Sequence, residues 1–175
     1  MRRALLGLMG AVALGAIGVL LAGFIWPDVN SEVELGRVEA FPPGSVTSFY
    51  IPHGAEDFRR LESEEVVGMS CGRIAGAYIG GSAGIVIHLV RLEDGSFLAH
   101  SGRSTHLGRM VVWLPDRLYE GHQGVFEEPC HSERWAIDGT RVYGPAPRDL
   151  DRFALRIEDG RVIVDTNDVT EGERR

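Results

Sequence analysis

Two short segments hold most of the side chains able to do chemistry: Ser104-Thr105-His106-Leu107-Gly108-Arg109 and Glu128-Pro129-Cys130-His131-Ser132. Each offers an imidazole, and the second adds a carboxylate and a thiol. Two histidines with one carboxylate, His106, His131 and Glu128, form a ligand set for a mononuclear zinc or ferrous ion, with His100 and His122 near in sequence. The same histidines also suit a closed loop pair without metal, in which they hydrogen-bond backbone carbonyls. Cys71 and Cys130 are the only cysteines of the chain. In an oxidising compartment they can pair, and a disulfide closing a loop of about 60 residues is worth roughly 4 kcal/mol on the chain-entropy model. Gly68-Met69-Ser70-Cys71-Gly72 has the spacing of a nucleophile elbow, but the glycines after it deny it the helix that motif requires.

The elements that must position these side chains read as strands. Alternating or continuous apolar runs fall at 33–38, 46–51, 85–91, 97–100, 111–114, 135–137, 141–144, 153–157 and 161–166. Phe41-Pro42-Pro43-Gly44, Glu93-Asp94-Gly95, Asp138-Gly139 and Glu158-Asp159-Gly160 supply turns between them. Many short strands at even spacing indicate an all-β domain. His88, inside one of the most apolar runs, is read as a strand residue with a satisfied hydrogen bond. Residues 55–67 place Phe58, Leu61 and Glu65 at helical spacing and predict a short helix. Residues 68–84 carry six glycines and form a long connection, and 167–175 read as a polar, frayed tail.

The start of the chain bears on compartment. Arg2-Arg3 precedes an uncharged run of 22 residues, Ala4 to Ile25, long enough to cross a bilayer as a helix. The positive-inside tendency keeps the arginines cytoplasmic and places the rest outside, on the periplasmic or extracytoplasmic side of the cell membrane. Without those two arginines, 16 basic residues face 25 acidic ones. So acidic a domain argues against nucleic acid, which requires a basic stripe. All 18 basic residues are arginine. The expected organisation is a cytoplasmic end at 1–3, a transmembrane anchor at 4–26, a linker at 27–32, a β domain at 33–166 and the tail at 167–175.

The two segments, with Gly144-Pro145-Ala146-Pro147-Arg148 downstream, resemble the Rieske iron-sulfur proteins of the quinol-cytochrome c reductase type. Those proteins grip a [2Fe-2S] cluster between loops of the form C-T-H-L-G-C and C-P-C-H-G-S and carry a similar proline loop. The resemblance implies stacked antiparallel sheets with two cluster-type loops, and an insertion at 55–84. It sets the two ligand histidines on His106 and His131, and the two ligand cysteines on Ser104 and Glu128. It sets the family's loop disulfide on Arg109 and Cys130. A salt bridge from Arg109 to Glu127 or Glu128 would stand in for that tie. Hydroxyl and carboxylate are harder ligands than thiolate, so the favoured expectation is a degenerate member with no cofactor. The alternatives are a [2Fe-2S] cluster or a mononuclear zinc or iron site at His106, Glu128 and His131. The resemblance further implies a subunit of an electron-transfer complex, beside a cytochrome b-type membrane subunit and a cytochrome c-type subunit, in a structural or assembly role. The other readings are an active electron carrier and a free-standing anchored binding protein.

Overall fold

The computed structural model describes residues 31–52, 58–61 and 84–174. The expected anchor, most of the glycine-rich stretch, Cys71 and the Gly68-to-Gly72 motif lie outside the described residues. Eleven strands follow in chain order: β1 Glu32–Arg37, β2 Ser45–Ile51, β3 Arg59–Leu61, β4 Ile85–Arg91, β5 Phe97–Ser101, β6 Val112–Tyr119, β7 His122–Glu128, β8 Glu133–Trp135, β9 Arg141–Tyr143, β10 Arg152–Glu158 and β11 Arg161–Thr170. They form two sheets, one ordered β1-β11-β10-β5-β4-β2-β3 and one ordered β6-β7-β8-β9. Every recorded strand pair is antiparallel, which gives the all-β architecture expected from the spacing of the apolar runs.

The run Ile85–Arg91 is nearly continuous in apolar residues because β4 is buried on both faces. Successive side chains point to opposite sides of a strand. Ile87 and Leu89 enter one core with Leu35, Phe41, Phe49, Ile51, Phe153 and Val164. Val90, on the opposite face, enters a second core with Val111, Phe126, Trp135, Ala146 and Leu150, which joins the two sheets. His88 shares that second face. It contacts Ser48 Oγ through Nδ1 at 2.8 Å and the Val111 carbonyl through Nε2 at 3.0 Å, as a structural histidine should. His100 lies directly opposite it on β5.

Three expectations are corrected. The helix placed at 55–67 is not what the described part shows: Arg59–Leu61 is an edge strand paired with Ser48–Tyr50 of β2. Phe58 packs edge-on against Phe49 with ring centroids 5.5 Å apart, and Leu61 is buried, so tertiary pairing overrides the helical spacing. Strand β7 was not foreseen. The tail is not frayed: β11 runs to Thr170, and residues beyond it return to the body of the domain, with Arg174 bridged to Arg148 and the Asp149 amide donating to the Glu173 carbonyl at 2.9 Å. Charged residues in that stretch face solvent while the backbone supplies the pairing.

Candidate functional site

Each of the two motif segments sits at a strand connection. The first follows β5 and closes on itself: the Ser104 amide donates to the Arg109 carbonyl at 2.7 Å, and the Gly108 amide donates to the Ser104 carbonyl at 3.0 Å. Gly108 takes φ +66°, a conformation that favours glycine. The second is the four-residue connection of the β7–β8 hairpin. Glu128 ends β7 and Glu133 begins β8, and the two are cross-strand partners. Their side chains therefore leave the same face of the sheet, and both are fully buried.

Each buried carboxylate meets one imidazole. Glu128 accepts from the amides of Cys130 and His131 at 2.9 and 2.8 Å and lies 2.8 Å from His131 Nδ1. Glu133 accepts from the Ser104 hydroxyl, and its other oxygen lies 2.7 Å from His106 Nδ1. Oε1 of Glu133 thus has the His106 ring as its close partner. The two imidazoles stand edge to face with centroids 5.6 Å apart, each side chain 33% exposed. The site is thus a pair of buried glutamates, each with its own half-exposed histidine.

Of the residues singled out by sequence, Ser104, His106, Glu128 and His131 come together here. Cys130 is disulfide-bonded. Arg109 is exposed and does not form the expected salt bridge. Glu127 pairs instead with Arg134 at 2.8 Å and Arg117 at 3.7 Å, while Glu128 turns inward to the loop amides. His100 and His122 take no part: His100 is in the core and His122 is exposed at the start of β7. Glu133 is the member sequence reasoning missed. Its signal was the hairpin register, which sets it opposite Glu128 across a four-residue turn.

The proline loop closes the site from the side. Gly144 has φ +97°, and a Cβ there would lie 2.7 Å from the Glu133 Cα, so the chain passes directly over Glu133. Ala146 is buried in the second core. The Arg148 carbonyl accepts from Thr105 Oγ1 at 2.9 Å and from Trp135 Nε1 at 3.2 Å, which ties the proline loop to the first motif segment and to β8. Behind it, the Gly172 amide donates to Asp151, which also pairs with Arg148 at 2.8 Å. A Cβ on Gly172 would fall 2.1 Å from the Asp149 carbonyl oxygen. Gly172→Ala should therefore detach the returning tail, at a cost of about 1–3 kcal/mol in chemical denaturation. Faster amide exchange confined to residues 144–151 and 171–174 is expected with it; unchanged exchange there would show that the tail does not brace the loop.

No protein-family model matches the chain. A cytochrome b6-f complex iron-sulfur subunit of Chlorobaculum tepidum is 34% identical over 72 residues, which is 41% of this chain and 36% of that protein. A subunit of the same name from Synechococcus is 23% identical over 168 residues, covering 89% of this chain and 83% of its own length. Among solved structures, the plasma membrane Rieske protein of Synechocystis is 29% identical and covers 45% of this chain and 75% of its own, with a TM-score of 0.37. Over these segments the chain is similar to Rieske iron-sulfur subunits. It spans about a third to a half of the length of the first curated relatives it matches.

A Rieske [2Fe-2S] cluster takes two thiolates on one iron and two imidazoles on the other. The residues of this chain do not fit it. The thiolate positions hold a hydroxyl, Ser104, and a carboxylate, Glu128, both harder donors than sulfur. Glu128 is further committed to two loop amides, and both imidazole Nδ1 atoms are faced by carboxylate oxygens. The thiol of Cys130 is engaged in a disulfide.

Proposed function

We propose that the chain is a membrane-anchored, Rieske-like subunit of a quinol-oxidising cytochrome b/c-type complex, in which it holds a structural or assembly role and carries no [2Fe-2S] cluster. The observation that carries this reading is the replacement of both thiolate donors in loops whose scaffold is otherwise kept. The loop turns, the proline segment and the hairpin remain, while the interior they enclose is filled by Glu128 and Glu133. The relatives named above are iron-sulfur subunits of cytochrome b6-f complexes, which supports partners of cytochrome b and cytochrome c type. The apolar run at 4–25 supports a single-pass anchor with the β domain on the periplasmic side.

Mild detergent solubilisation of the native membrane, followed by affinity purification of the full chain, tests the assignment. Stoichiometric b- and c-type haem in the purified material is the expected outcome. Recovery of the chain alone under conditions that keep such complexes intact would make it a free-standing anchored protein instead.

A further inference from the structure

The two motif loops are fastened by different kinds of bond. Cys130, in the second loop, is disulfide-bonded, and among the described residues no cysteine is free. The chain has two cysteines, Cys71 and Cys130, and position 109, where the resemblance sets the other half of the family's loop disulfide, is an arginine. Within one chain the partner of Cys130 is therefore Cys71. The first loop is left without a covalent tie to the hairpin. Glu133 holds it instead, accepting from the Ser104 hydroxyl and lying 2.7 Å from His106 Nδ1, together with Thr105, whose hydroxyl donates to the Arg148 carbonyl at 2.9 Å.

We propose that a Cys71–Cys130 disulfide makes the β7–β8 turn a redox-responsive joint, fastened by a bond that the first loop does not share. The turn depends on such support. Its second residue is Cys130, which is half-buried, and its fourth, Ser132, takes φ +58°, a left-handed conformation that a residue with a Cβ keeps only when its surroundings impose it. Glu128 imposes part of it through the amides of Cys130 and His131, at 2.9 and 2.8 Å. The disulfide adds a second constraint at Cys130, and by closing a loop of about 60 residues it also restricts the unfolded chain. The extracytoplasmic side proposed for the domain is a compartment in which such a bond forms and persists. A dithiol reductant opens it by exchange. One thiolate of the reductant attacks a sulfur of the pair and the bond between Cys71 and Cys130 breaks; the second thiolate then displaces the mixed disulfide. The reductant leaves as its own disulfide, and Cys71 and Cys130 end as two thiols, having taken up two electrons and two protons. The turn loses one of its two constraints, while Ser104, Thr105 and His106 keep all their partners.

The test uses the full chain in detergent, isolated without reductant and with free thiols blocked at lysis. Peptide mapping by mass spectrometry under non-reducing conditions is expected to show one linked pair of peptides, containing residues 71 and 130. Thiol titration in denaturant should find no thiol before dithiothreitol and two after it. Amide exchange then reads the consequence. On reduction, residues 130–132 should exchange about ten-fold faster while 104–109 keep their rate, and Cys71→Ser should give the same pattern without reductant. Free thiol in the unreduced protein, or a Cys130–Cys130 bond between two chains, would overturn the pairing. Equal acceleration of both loops on reduction, or none in either, would overturn the joint; neither measurement on the wild-type chain depends on the variant folding.

Discussion

Acidification is expected to unfold this domain well before its surface carboxylates are fully titrated, because two histidines are buried in neutral form. Burial holds the His88 imidazole down to about 4 and that of His100 to about 3, against an ordinary value of 6.5. For His100 the positive charge of Arg152 adds to the effect of burial. Since the fold prefers the neutral rings, the stability they permit is fully present above about pH 6.5. As pH falls, the unfolded chain takes up protons that the native state refuses, and stability is lost progressively down to about pH 3 to 4. Each histidine accounts for a loss on the order of 3–5 kcal/mol over that window, comparable to the whole stability of many domains. Denaturant midpoints measured from pH 7 to pH 4 should fall steeply. His100→Leu sharpens the test. The Ile137 backbone lies close enough to His100 to favour its charged form, yet neither ring nitrogen has a hydrogen bond of normal geometry. Removing an unsatisfied polar group of similar volume should cost little at pH 7 and flatten the acid limb. An acid limb as steep as that of the wild type would assign the lability to other groups.

Glu128→Ala should be the most damaging single change at the site. The carboxylate is fully buried and organises the hairpin turn through the amides of Cys130 and His131 as well as the His131 ring. Truncation leaves two turn amides and an imidazole without their acceptor, and a loss of about 3–5 kcal/mol is expected for breaking a buried charged cluster from one side. Glu128→Gln retains an acceptor oxygen and should cost clearly less. Equal losses for the two variants would mean that the charge, rather than the turn geometry, carries the stabilisation.

How much of this was legible in the sequence depends on how local each signal was. The two-faced strand Ile85–Arg91 and the turn at Asp94-Gly95 were plain, because alternation and turn chemistry act within a few residues. Strand β7 was obscured by its polar start, His122-Gln123, and by Gly124, which sits at φ +75° where a Cβ would strike the Trp113 ring. The positive φ of Glu120 and Gly121 makes the turn into it, a weaker signal than an Asn-Gly or Asp-Gly pair. Phe58 and Leu61 carried a helical spacing that edge pairing with β2 overrode. At the site, the motif spacing located His106, Glu128 and His131. Glu133 could be found only through the register that sets it against Glu128, and the bracing of the proline loop depends on the tail returning from 171–174, a contact no local pattern announces.

The proposed role turns on the loops of a Rieske-like fold holding no cluster. Iron and acid-labile sulfide analysis, with low-temperature EPR of the dithionite-reduced, detergent-solubilised full chain isolated with its partners, tests it most directly. The account predicts no Rieske-type signal from this chain and no stoichiometric sulfide, whatever haem accompanies it. A Rieske-type signal assignable to this chain would contradict it and make Ser104 and Glu128 ligands of a working cluster.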